Sequence, residues 1–139
     1  GLLAFGLLCE WLGRRGAFLF YHVGGLVSAM LLFQVFPAED SRAVYYVVLP
    51  LFGFLTLGMH AGYAIYFPEL YPTRLRGTGG GFCFNVARFI TVPMILLKGF
   101  LQKEGYTPDQ AGTLLSWLFL IGVVVLFFAP ETKGKDLPE

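Results

Sequence analysis

Pro68-Glu69-Leu70-Tyr71-Pro72-Thr73-Arg74-Leu75-Arg76-Gly77 is a short charged island between two long apolar runs. Two similar islands flank it along the chain. One is Gly6-Leu7-Leu8-Cys9-Glu10-Trp11-Leu12-Gly13-Arg14-Arg15, and the other is Pro130-Glu131-Thr132-Lys133-Gly134-Lys135. Each consecutive pair of islands is separated by two apolar runs. If every run crosses a bilayer once, all three islands fall on the same side of it. They then form one surface.

The apolar runs carry the fold class. After an opening stretch at 1–9, they occupy 17–36, 43–67, 82–101 and 113–129, and 130–139 remains as a polar tail. A helix crosses the hydrocarbon core of a bilayer with about 20 residues. Helix is the available structure, because open sheet edges are not tolerated in lipid. The stretch 1–9 reaches only about 14 Å as a helix, about half of the roughly 30 Å core. It is therefore expected to be the second half of a helix, which makes the chain the C-terminal part of a longer protein. The expected fold class is all-α, a polytopic transmembrane helix bundle.

Composition agrees. The chain is 56% hydrophobic and 14% charged, against about 45–50% and about 25% for soluble domains. A net charge of +1 implies no polyanionic partner, so nucleic acid is excluded. Cys9 and Cys83 have no zinc-type spacing, and both are expected to be free buried thiols. No metal or cofactor is implied. Arg14, Arg15, Arg74, Arg76, Lys133 and Lys135 lie on the island side, and Arg42, Lys98 and Lys103 on the other. The positive-inside rule puts the islands and the C-terminus in the cytoplasm, and the protein in the cell membrane.

The charges sit awkwardly on their own helices. Arg14 and Arg15 precede the helix at 17–36, and Arg74 and Arg76 precede that at 82–101. Both are positive helix ends. Glu69 and Glu131 follow helices, at negative ends. Each placement is unfavourable by about 0.3–1 kcal/mol. Cross-pairing between helix ends removes the conflict, so a network of ion pairs is expected; the alternative is solvated acids beside arginines that obey the positive-inside rule. Glu10 is read as lying near a helix start. Exposed pairs contribute only about 0–1 kcal/mol each, which suits contacts that break and re-form.

At this point a resemblance is legible. Gly6, Glu10, Gly13, Arg14 and Arg15 fill the loop signature of the major facilitator superfamily, with Glu10 in place of the usual Asp and Trp11 where a basic residue is usual. Glu69, Pro72, Arg76 and Gly77 resemble the signature of its sugar-porter and metabolite–proton symporter branches. Pro130-Glu131-Thr132-Lys133-Gly134 resembles the close of the last sugar-porter helix. The resemblance covers essentially the whole chain. It implies part of the C-terminal six-helix half of a twelve-helix transporter: the end of helix eight at 1–9, helix nine at 17–36, helix ten at 43–67, helix eleven at 82–101 and helix twelve at 113–129. It implies alternating access, a small-molecule substrate, protons and the bilayer as partners, and an N-terminal half of the same chain. It also implies a cytoplasmic gate made of Glu10, Arg14, Arg15, Glu69, Arg76 and Glu131.

Arg88 is the sharpest residue inside a span, some 10–18 Å from the cytoplasmic end by helical rise. Intramembrane charge is costly and marks substrate or ion pathways. Gly81, Asn85 and Arg88 share one helix face. A guanidinium grips carboxylate as a bidentate fork, so Arg88 and Asn85 are candidate ligands for an anionic substrate or a partner carboxylate. The alternative is an arginine snorkelling to headgroups or lying on the Phe84 ring. Proton-coupled carriers of organic and aromatic acids resemble the Arg76–Arg88 spacing most closely, so a carboxylate-bearing metabolite is the first substrate class and a sugar the second.

Thr56, His60 and Tyr63 form a polar stripe. His60 and Tyr63 are candidate substrate ligands, and His60 a candidate proton carrier; the alternative is a neutral histidine bonded across helices. His22 is read as structural. Gly58 and Gly62 read as close helix packing, and Pro50 and Pro93 as kinks. Gly77–Gly81 lacks the ending of a phosphate loop and is rejected as one; its glycines are expected to pack against the first loop. Phe18, Phe20, Tyr21, Tyr45, Tyr46, Tyr66 and Tyr71 read as interface anchors. An enzyme is not expected, since His22, His60 and Glu69 have no usable spacing. A non-transporting sensor or scaffold on the same fold is the reading from another class.

Overall fold

The computed structural model describes residues 1–35 and 42–134. The described residues are mostly helical, with no strand among them. The helices are α1 (Leu2–Met30), which continues into a π-helical turn at Leu31–Val35, then α2 (Arg42–Glu69), α3 (Arg76–Lys103), α4 (Pro108–Ser116) and α5 (Leu118–Phe128). Among the described residues, four stretches are long and apolar enough to cross a membrane: Leu2–Gln34, Tyr45–Glu69, Arg76–Lys103 and Pro108–Phe128, the last made of α4 and α5 together. The chain is an integral membrane protein.

α1 is two arms. Gly13 leaves helical geometry at φ 79° and ψ 172°, a backbone region that a side chain disfavours. A straight helix would hold Phe5 and Tyr21 about 24 Å apart, yet their ring centroids lie 5.2 Å apart, and those of Phe5 and Phe18 5.0 Å. The Tyr21 hydroxyl donates to the Gly1 carbonyl at 3.2 Å. The chain therefore doubles back at Gly13, and arms 2–12 and 14–30 run antiparallel. The loop expected over 10–16 shrinks to one residue, and the first arm ends after Leu12 rather than Cys9.

The two arms pack on α2, and this three-way contact is the core. It holds Phe5, Cys9, Ala17, Phe18, Tyr21, Leu55, Met59 and Tyr66. Phe18, Tyr21 and Tyr66 are thus core residues, against their reading as interface anchors; Tyr46 is 78% exposed. The α2 backbone comes close to α1 because it carries glycine where rings must fit. A Cβ on Gly58 would strike the Tyr21 ring, and one on Gly62 the Phe5 and Phe18 rings. His22 is buried, with Nδ1 against the Phe18 carbonyl at 2.8 Å and its ring edge-on to Phe119 of α5.

Other boundaries move for local reasons. The last span begins at Pro108 rather than 113. Thr107 accepts from the Gln110 N–H at 3.3 Å, the Gln110 side chain accepts from the Thr107 N–H at 3.0 Å, and Pro108 needs no donor at a first helical position. α3 begins at Arg76 rather than 82 and runs through the glycine cluster. Gly79 faces the Tyr71 ring, so the close approach is to the α2–α3 loop and not to the first loop. α2 passes through Pro50 and Pro68, and α3 through Pro93, each as one helix. The end of the 17–36 span, the loop after it and the end of the 130–139 tail lie outside the described residues. α3 packs against α2 and α4, and most of its surface is open.

The glycine seam generates a prediction. Gly62→Leu forces the Phe5 and Phe18 rings out of place, at about 1–3 kcal/mol, and lowers the thermal midpoint of the detergent-solubilised protein. A Cβ on Gly53 would meet nothing within 4 Å, so Gly53→Ala leaves that midpoint unchanged.

Candidate functional site

The turn at Gly13, the end of α2 and the segment after α5 converge. Arg14 grips Glu69 with two parallel bonds, Nε to Oε2 at 3.0 Å and Nη2 to Oε1 at 2.5 Å. The pair is largely covered, the two side chains being 21% and 15% exposed. The Thr132 hydroxyl donates to the same Glu69 Oε2. This fork ties the start of arm 14–30 to the C-terminal end of α2. The Tyr66 hydroxyl, one turn earlier on α2, donates to the Pro130 carbonyl at 2.6 Å.

Glu131 does something different from an ion pair. Its carboxylate accepts the backbone N–H groups of Arg14 and Arg15, both at 3.0 Å. These are the first free donors of arm 14–30. Gly13 has no side chain to cap them, so an acid from the far end of the chain does. The positive end of the helix dipole adds about 0.3–2 kcal/mol. A Cβ on Gly13 would lie 2.9 Å from the Glu131 Oε2, so glycine is required there for space as well as for φ. The Lys133 ammonium donates to the Trp11 carbonyl at 3.1 Å, at the negative end of arm 2–12. Glu131 and Lys133 therefore straddle the break, each on the helix end of opposite sign.

The remaining candidate gate residues divide. The Arg15 guanidinium turns to the Phe127 carbonyl at 3.2 Å. Arg76 Nε donates to the Pro68 carbonyl at 3.0 Å, while its Nη2 is buried with no partner among the described residues. Glu10 is exposed and joins none of these contacts among the described residues. It lies in the last turn of arm 2–12, not near a helix start, which explains why it is not drawn to a helix N-terminus. Gly13, Tyr66, Thr132 and Lys133 join these contacts although they were not among the candidate gate residues. Gly13, Thr132 and Lys133 lie inside the motifs legible in the sequence, which was the available signal; nothing in the sequence marked Tyr66 for these contacts.

The candidate substrate residues are less assembled. Arg88 is exposed on α3 with no partner among the described residues, about 18 Å along the helix from Arg76. Phe84 packs edge-on against Phe67, centroids 5.5 Å apart, instead of under Arg88. Asn85 is exposed and donates to the Gly81 carbonyl of its own helix at 2.8 Å. His60 is exposed, with Nδ1 3.4 Å from the Thr56 carbonyl of its own helix; no cross-helix partner is present among the described residues. Tyr63 departs from the polar stripe. It is half-buried in an aromatic column, stacked on Phe18 at 5.1 Å and on Phe67 at 5.3 Å. A cavity of about 520 Å³ between the π-helical turn and α4 lies at the other end of α1 from Arg14 and includes none of these four residues.

Comparison with known proteins fits this architecture. The family described as sugar (and other) transporter matches residues 2–139. The chain belongs to that family, a sugar-porter-like branch of the major facilitator superfamily. It is 28% identical to a putative metabolite transport protein of Haemophilus influenzae over 99% of this chain and 33% of that protein. It is 29% identical to the cis,cis-muconate transport protein of Acinetobacter baylyi over 96% of this chain and 31% of that protein. A probable 4-methylmuconolactone transporter of Cupriavidus pinatubonensis is 28% identical over 96% of this chain and 32% of its own length. The chain thus spans about a third of the length of these curated relatives. No solved structure matches it.

The clamp makes a pH prediction. Burial pushes the Glu131 carboxyl up, but the N–H groups of Lys133, Arg15, Arg14 and Thr132 outweigh it and hold the group below the ordinary carboxylate range. A depressed folded-state value stabilises above the unfolded value, about pH 4.3, and that stability is lost as pH falls through the folded value. Proteolysis at Lys133 stays slow at neutral pH and accelerates only on acidification below about pH 4.3. In Glu131→Gln, and in Gly13→Ala, cleavage is fast at every pH.

Proposed function

We propose that this chain is part of the C-terminal half of a secondary transporter that works by alternating access, with its clamp as the gate on the cytoplasmic side. The observation that carries the proposal is the Arg14–Glu69 fork sealed by Thr132 and flanked by the Glu131 cap. It ties three segments that are far apart in sequence through contacts that are individually weak at a partly exposed surface. Such contacts hold one state and release it at modest cost. Arg76, with one buried nitrogen unpaired among the described residues, is the component of this gate open to an acceptor from the other half.

The substrate in this reading is a small carboxylate, taken up with protons. Arg88 and Asn85 lie on the open face of α3, and His60 is exposed on α2. Sites in such folds lie near the membrane midplane between repeats. The relatives named for muconate and methylmuconolactone transport support this class. A sugar is the second reading, favoured by the family description. The other half of the transporter, protons and the bilayer are its partners, and the C-terminus is cytoplasmic.

The test is uptake by the complete transporter in vesicles with an imposed pH gradient. Muconate-type dicarboxylates are accumulated when the outside is acid, and Arg88→Lys lowers that uptake about tenfold, as loss of one charged hydrogen bond would. Sugar uptake indifferent to the gradient, or an unaffected Arg88→Lys, overturns the substrate assignment. Glu69→Gln slows transport far more than it weakens substrate binding; equal losses in both overturn the gate.

A further inference from the structure

Beside the clamp, arm 14–30 and α5 leave a groove lined by Arg15, Gly16, Leu19, Val123, Leu126 and Phe127. Among the described residues its one charged lining residue is Arg15, at the end nearest the clamp. The rest is aliphatic or aromatic. The space is about 160 Å³, well under the roughly 300–1,000 Å³ of a pocket that encloses a small molecule. It is open along its side.

The surroundings say what solvent this groove meets. The stretch Pro108–Phe128 has the highest mean hydropathy of the four spans, 2.4, with only 11% of that window buried. The outward residues of the two helices are apolar: Val23 is 46% exposed, Val124 55% and Phe127 68%. Exposed polar side chains inside the spans, such as His60, Asn85 and Arg88, are on α2 and α3 instead. The wall formed by arm 14–30 and α5 therefore faces hydrocarbon. Trp11 is 82% exposed at the same helix end as Arg15, and Lys133 reaches its carbonyl. A tryptophan and a lysine together mark the headgroup level.

We infer that this groove is a binding site for an anionic phospholipid, its phosphate on Arg15 and its acyl chain along Leu19, Val123 and Leu126. Charge decides for an anionic head. Glu131 is not among the lining residues, and its carboxylate is already engaged by the backbone N–H groups of Arg14 and Arg15. Among the described residues the Arg15 guanidinium has one bond, from Nη2 to the Phe127 carbonyl, which leaves donors for a phosphate. Basic pockets between membrane helices bind acidic headgroups by the same chemistry. A lipid held here would rest on the residue whose backbone completes the Glu131 cap, and so would bear on the gate.

The experiment is native mass spectrometry of the complete transporter, released from micelles supplemented with phosphatidylglycerol or phosphatidylcholine. Phosphatidylglycerol is retained about fivefold over phosphatidylcholine, the equivalent of about 1 kcal/mol for one basic residue near an acidic headgroup. Arg15→Gln loses the preference and Arg15→Lys keeps it. Leu19→Trp fills the groove without touching the charge and also lowers retention; Leu19 is 41% exposed, so the added bulk need not disturb the core. Equal retention of the two lipids overturns the inference, as does unchanged phosphatidylglycerol retention in Leu19→Trp. Displacement of the lipid by millimolar inorganic phosphate overturns it too, because the site would then read a free anion without its acyl chain. Transport is not measured, so the outcome stands apart from the substrate assignment.

Discussion

The Glu131 carboxylate on the free N–H groups of arm 14–30 is the contact on which this end of the bundle depends. A helix that restarts one residue after another has ended leaves donors and acceptors unmet within a few ångströms. Gly13 permits the reversal and offers no cap. Glu131 supplies the missing acceptor, and Lys133 a cation for the opposite end. With the segment after α5 held there, Thr132 reaches Glu69, and the Arg14–Glu69 fork is covered from the side. Remove the cap and the fork becomes an ordinary surface pair, of little energetic weight.

This arrangement couples a mechanical problem to an electrostatic one. The core beneath is rigid: rings of Phe5, Phe18, Tyr21 and Tyr66 interlock, and glycines on α2 let the backbones close on them. Dense packing of this kind transmits movement as whole helices, not as local give. The gate proposed for this surface needs contacts that break together, and a cap, a fork and a hydroxyl bridge sharing two carboxylates are such a set. α3 stands apart. It touches α2 and α4 but leaves most of its surface open, and its open face carries Asn85 and Arg88. Those two polar side chains stand on α3 among exposed apolar ones such as Phe89, Ile95 and Leu96, where the chain is least self-contained.

Much of this was legible in the residues. Uncharged runs of membrane-spanning length announce helices, because lipid admits little else. Acids at negative helix ends and arginines at positive ends announce cross-pairing, because each is unfavourable alone. The glycine pair at 58 and 62 announces close packing. Other readings failed for identifiable reasons. Tyr21 and Tyr66 looked like interface anchors by type and position along a span, but which side of a helix meets its neighbours is not written in one helix. Tyr63 shares a helical stripe with His60, yet the column of Phe18 and Phe67 draws its ring inward while His60 stays outside. The start at Pro108 was missed because hydropathy was weighed above the capping chemistry of Thr107 and Gln110.

The sequence by itself determined that the chain is a helical membrane protein, that its charged islands share one side, and that their acids and bases need partners elsewhere. Those conclusions follow from terms that act locally: the cost of charge in hydrocarbon, the span of a bilayer and the dipole of a single helix. Only the tertiary structure decided who pairs with whom. Arg14 took Glu69, Glu131 took backbone instead of a guanidinium, and Glu10 was left out. Those choices turn on a single glycine with positive φ, which folds the first helix back and points two N–H groups at the far end of the chain. Pairing across more than a hundred residues depends on where three helix ends meet in space, and no local rule encodes that.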